Sequence, residues 1–154
     1  MKKTISLLSA LLITISLYSQ TADDYIEITR SLLKTEKKAA IAETMELSSA
    51  ESEVFWPLYN EFNEKLYTIQ SKRVKIIKDF AENFETLSDE KADELMTSYM
   101  GVKQEIMNLN KQYYKKFKKI LPAGKAAKYF QAENKIAAIV DFQLASEIPF
   151  IETK

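Results

Sequence analysis

Two long apolar stripes at helical spacing constrain this chain more than any other feature. One runs through Leu58, Phe62, Leu66, Ile69, Ile76, Phe80, Phe84 and Leu87. The other runs through Ala92, Leu95, Tyr99, Val102, Ile106, Leu109, Tyr113, Phe117 and Ile120. Steps of three or four residues keep such side chains on one face of a helix, and no two-residue alternation competes with them. A single gap of seven leaves Arg73 on the seam of the first stripe. Only two glycines and three prolines interrupt the 154 residues, so turns are few. The expected fold is all-α: a long antiparallel helical hairpin with flanking helices, either a cradle or a small helical bundle.

Cap signals place the boundaries. A first helix is expected over 22–46, with Ile26, Leu33, Ala40 and Ile41 as a modest apolar face. "LSSAE" follows, in which Ser48 and Glu51 have capping-box spacing. The second helix is expected over 49–84. "LSDE" at 87–90 starts the third, with Ser88 as N-cap and acids in the first turn, where the helix dipole favours them. "LPAGK" at 121–125 ends it, because Pro122 cannot continue the ladder but can open the next helix. The fourth helix reaches about Leu144, and residues 146–154 form an extended tail broken by Pro149.

The first twenty residues read as a signal peptide. Lys2 and Lys3 precede an apolar run from Ile5 to Leu17, too short for a typical membrane span. Cleavage is expected near Ser19 or Gln20, giving a periplasmic or secreted protein with one helical domain over 21–145. The chain has no cysteine, so neither disulfides nor a lipid-modified cysteine anchor is available. Without Lys2 and Lys3 the formal charge is slightly negative, which argues against nucleic acid as a partner.

Charge is nevertheless segregated. Residues 111–128 carry seven lysines and no acid, while residues 43–64 carry Glu43, Glu46, Glu51, Glu53, Glu61 and Glu64 and no base. If the two long helices fold back about Leu87, position 115 lies roughly opposite 59 and the blocks face each other. Exposed pairs contribute little individually, roughly 0–1 kcal/mol, yet they disfavour wrong registers. The lysines of "KQYYKKFKK" interleave with Tyr113, Tyr114 and Phe117. Peripheral contact with an anionic membrane is one reading of that pattern; the matched acidic segment is the favoured one. With Met107, these three aromatics form the candidate protein-binding surface.

Chemistry has little to work with. The chain has no histidine and no cysteine, hence no usual general base, thiol nucleophile or soft metal ligand. No glycine-rich phosphate loop is present. No catalytic residue, cofactor or metal is expected, and no enzymatic activity. Glu90, Asp93 and Glu94 lack the loop geometry of calcium sites. Met96, Met100 and Met107 share a helix; a copper(I) site is one reading, and core filling or an adaptable surface is the favoured one. "EVFWPLYNEF" places Trp56 and Pro57 inside the second helix. A structural kink stabilised by aromatic burial is favoured over an aromatic ligand cage. Arg73 and Glu133 either form a structural ion pair or point separately to solvent.

"LSSAE" opening one helix and "KKILPAGKAAKYFQAENKI" near the end resemble the Spy/CpxP superfamily of periplasmic stress proteins, marked by repeated L-T-x-x-Q elements. The counterparts are Leu47-Ser48-Ser49-Ala50-Glu51 and Leu121-Pro122-Ala123-Gly124-Lys125, with glutamate and lysine in place of the glutamine. "FWPLYNEF", "KYFQAENKI" and "QLASEIPFI" are closer still to a group of small exported helical bacterial proteins. The resemblance implies a cradle-shaped homodimer that acts as a chaperone-like holdase for non-native proteins. The alternative it implies is a regulatory partner of a membrane-anchored stress sensor.

Overall fold

A computed structural model describes residues 26–151, so the expected signal peptide lies outside them. Four α-helices and one short 3-10 helix account for nearly all of the described chain, with no strand among the described residues. The described chain divides into two compact units, with the boundary between residues 43 and 44.

In the first unit, α1 is helical from residue 26 and runs on to 45. Its expected apolar face is only partly realised. Ile41 is buried, but Leu33 and Ala40 are exposed, as are Ile28 and Leu32. The helix stops at Glu46, whose φ of 47° lies in the left-handed region that ends helices.

The second unit holds α2 (Ser49–Asn83), the 3-10 turn (Phe84–Thr86), α3 (Asp89–Ile120) and α4 (Ala123–Glu147). The capping box forms as the sequence predicts. The Glu51 N–H donates to Ser48 Oγ at 3.3 Å, and the Ser48 N–H donates to Glu51 Oε2 at 2.9 Å. Ser88 caps α3 by accepting from the Lys91 N–H at 3.2 Å. Pro122 serves as N-cap residue and not as the first helical residue; its carbonyl accepts from the Ala126 N–H at 3.0 Å. The fourth helix is longer than expected, because the Ile148 N–H closes a last turn onto the Leu144 carbonyl at 3.2 Å. Pro149 then holds Ile148 extended, so the tail begins there and not at 146.

α2 and α3 form the antiparallel hairpin. Lys72 Nζ meets Glu105 at 2.7 Å, and Lys116 Nζ meets Glu61 at 3.0 Å. Eleven residues back along one helix match eleven forward along the other, which places the lysine block against the acidic block. α4 returns along α3 in the same manner. The Tyr114 and Phe130 rings are 5.5 Å apart, and Lys103 Nζ lies 2.7 Å from Asp141, again eleven residues along each helix.

Every member of the α3 stripe is buried or half-buried. The core is densest at one end of the hairpin, where Phe55, Tyr59 and Phe62 from α2 meet Tyr113 and Phe117 from α3 and Tyr129 from α4. Phe117 packs 4.6 Å from Tyr129 and 5.4 Å from Phe55 by ring centroids. Toward the 3-10 turn the stripe residues Ile76, Phe80 and Phe84 are only half-buried, since two helices cannot enclose an apolar seam as three do. Among the described residues no helix is long and apolar enough to cross a membrane.

Candidate functional site

The outer faces of α3 and α4 carry the apolar surface that this packing leaves uncovered. A helical step of 100° turns Met96, Met100, Met107 and Tyr114 away from the stripe that faces α2. The three methionines are about half-exposed, and Tyr114 is half-buried. On α4, Ala127, Ala138, Ile139 and Phe142 are exposed, and Phe142 keeps 74% of its surface in solvent. The α3–α4 register puts Phe142 level with Val102 and Met100. Exposed apolar side chains therefore stand on the outer faces of both helices.

At the other end of these faces lies a shallow open groove of about 590 Å³. Tyr114 and Phe130 form its floor, stacked edge to face at 82°. Ala127 and Ala138 form a low wall, and Lys111 and Lys135 stand at its sides. The segment "QAEN" is split by the helix. Gln131 and Asn134 line the groove, while Glu133 points to the opposite face and is only 7% exposed. There Glu133 lies near the buried hydroxyls of Tyr59 and Tyr129. Burial first, and the Glu133 charge second, push both phenols well above their ordinary range.

Charge around the groove is one-sided. From residue 106 to 132 the chain has seven lysines and no acid. Lys116 and Lys125 are held by Glu61 and Glu51. Lys118 Nζ lies 4.9 Å from the centroid of the Tyr114 ring, so a cation borders the apolar floor.

Several expected site residues move. Tyr113 and Phe117 are fully buried and are no part of an exposed binding surface. They belong to the stripe that faces α2, and the Tyr113 hydroxyl donates to Glu61 Oε1 at 2.5 Å. Met107 and Tyr114 lie on the outer face, as a binding surface requires. Pro57 is exposed, and α2 continues unbroken through it, so the proline does not restart the helix. Trp56 is half-buried, with its ring 5.0 Å from Phe55 and 5.2 Å from Tyr59. Those rings pack on one another and on Phe117 and Tyr129, which fills the space that a ligand cage would need.

Arg73 pairs with Asp141 at 2.5 Å in place of Glu133. The reason is register: Phe62 packs on Phe130, and eleven residues further along both helices Arg73 meets Asp141. Glu133 sits two turns too early. Asp141 also accepts from Lys103, so one carboxylate joins all three helices of the unit. Burial raises the Asp141 carboxyl, but Lys103 and Arg73 together outweigh that and hold it below its ordinary value.

Among the described residues no group of three or more acidic side chains gathers to hold a metal. Met100 and Met107 are separated by about 10 Å along the helix axis, too far to ligate one ion. The sequence stripes did not reveal Asp141, Phe142 or the Phe130 floor, because α4 has a weak helical pattern with small residues at Ala127 and Ala138. The spacing of 127, 131, 134 and 138 is the signal that marks this face.

No protein-family profile, curated protein or solved structure matches this chain.

Proposed function

We propose that this chain is a non-enzymatic protein-binding module, a holdase-like chaperone of the bacterial envelope that acts after export. The observation that carries the reading is the set of uncovered side chains, Met96, Met100, Met107, Ile139 and Phe142, on a unit whose aromatic core is already filled. Methionine side chains are flexible and polarisable, so such a surface adapts to unlike apolar segments. Large apolar side chains left exposed in such number are a feature of protein interaction surfaces. The resemblance to the Spy/CpxP superfamily points the same way, as does the signal-peptide pattern of Lys2, Lys3 and the apolar run from Ile5 to Leu17.

Light scattering of a chemically denatured client diluted into the protein tests this. Suppression of aggregation at near-stoichiometric ratios is expected for two unrelated clients. It should weaken when Met100 and Phe142 are both changed to serine, with no loss of melting temperature. Absence of suppression, together with a single crosslinked partner in the envelope, would overturn the holdase reading in favour of the sensor-regulating one.

A further inference from the structure

We propose that the groove between α3 and α4 seats an acidic amphipathic helix of a partner protein. The inference rests on the protein-binding reading above and assigns that surface a preferred occupant. The groove is shallow and its floor is aromatic, with Tyr114 and Phe130 offering flat apolar area on which one side chain can rest. The alanines at 127 and 138 leave room for a second helix to approach closely. Lys111 and Lys135 flank the floor from different helices, and neither makes an ion pair among the described residues. No acid lies between residues 106 and 132 to neutralise Lys111, and Glu133, two residues from Lys135, points to the opposite face of α4.

An occupant with apolar residues at helical spacing and glutamates on either side would satisfy both features at once. Apolar anchors at three- and four-residue steps would rest on Tyr114 and Phe130. Its carboxylates would meet Lys111 and Lys135, and the amides of Gln131 and Asn134 would hydrogen-bond its polar edge. Ala127, Ala138, Gln131 and Asn134 beside the floor supply no protruding large apolar side chain of the kind that inserts into a bilayer, so a helix laid along the groove is favoured over a membrane. Flanking charge of one sign also speeds encounter and selects the partner's sign.

The test uses two fluorescent peptides of about 15 residues, long enough to hold a helix. Both carry leucines at helical spacing; one has glutamate and the other lysine at the remaining positions. Anisotropy should show the acidic peptide binding at least roughly tenfold more tightly at low salt, with the preference shrinking as salt is raised. Lys111→Glu with Lys135→Glu should abolish or invert the preference. Ala138→Trp, which fills the groove from an exposed position, should weaken the acidic peptide without altering its sign preference. Equal affinity for both peptides would overturn the inference, as would indifference to both sets of substitutions. Tighter binding to anionic lipid vesicles than to the acidic peptide would overturn it in favour of a membrane surface. A concentration-dependent rise in mass blocked by Ala138→Trp would overturn it in favour of a second copy of this chain. If the preference is absent while client aggregation is still suppressed, the charge-selective groove fails and the broader function stands. If suppression is absent as well, both fail.

Discussion

The Glu51 carboxylate closes the capping box of α2 and also accepts from Lys125 Nζ at 2.7 and 2.6 Å, tying the start of α2 to the start of α4. The Lys125 hydrogen bond first, and the Ser48 backbone N–H second, hold its carboxyl below the ordinary value of 4.5. The Glu61 carboxyl is lowered likewise, by the Tyr113 hydroxyl first and Lys116 second.

These depressed values set the acid limb of stability. A carboxyl whose folded pKa lies below its unfolded one stabilises the fold fully above the unfolded value. That contribution is lost as pH falls through the folded value. Denaturant midpoints should therefore hold steady from pH 7 toward 5 and fall below about pH 4.5 as Glu51, Glu61 and Asp141 take up protons. Glu51→Gln and Glu61→Gln together should flatten that fall. An unchanged acid limb in the double variant would sink the assignment.

The Asp141 bridge should behave as a clamp. Asp141→Asn leaves Arg73, whose side chain is only 13% exposed, without its counter-charge. Because Asp141 itself is 37% exposed, solvent moderates the loss, and about 1–3 kcal/mol is expected from urea midpoints. Replacing both partners, Arg73→Met with Asp141→Leu, should recover most of it, since removing a half-buried pair entirely avoids the stranded charge. A double variant no more stable than Asp141→Asn alone would contradict this account.

The two neighbouring aromatics Tyr114 and Phe117 of α3 should separate cleanly. Phe117→Ala opens a cavity among Phe55, Tyr129 and Phe130 and should destabilise by about 3–5 kcal/mol. Tyr114→Ala removes one half-buried ring at the groove and should cost about 1–2 kcal/mol while weakening peptide binding. Equal losses of stability from the two would show that the inner and outer faces of α3 are assigned wrongly.

Gly101 lies in the middle of α3 on an exposed face, and a Cβ there would meet nothing within 4 Å. Its helical backbone needs no glycine, so Gly101→Ala should stabilise the protein by about 0.4–1 kcal/mol. A rise in thermal midpoint without a change in denaturant slope is the expected result, and a fall would reveal an unseen constraint at this position.

The amino-acid sequence by itself determined the helices and most of their ends. Stripes at Leu95, Val102, Leu109 and Tyr113 and the caps at Ser48 and Ser88 are local signals, written within a few residues of the structure they specify. Charge segregation also indicated that the acidic start of α2 faces the lysine-rich end of α3, though the observed pairing of Glu61 with Lys116 sets position 115 about one turn from the expected position 59. Tertiary structure alone decided which side chains of different helices meet. The stripe already sets Tyr113 and Phe117 apart from Tyr114, and only the packing of α4 on α3 brings Tyr114 against Phe130 at a groove. The same holds for Arg73. Its need for a carboxylate was legible, but Asp141 and not Glu133 meets it, because partner choice depends on the relative shift of two helices joined only through a third.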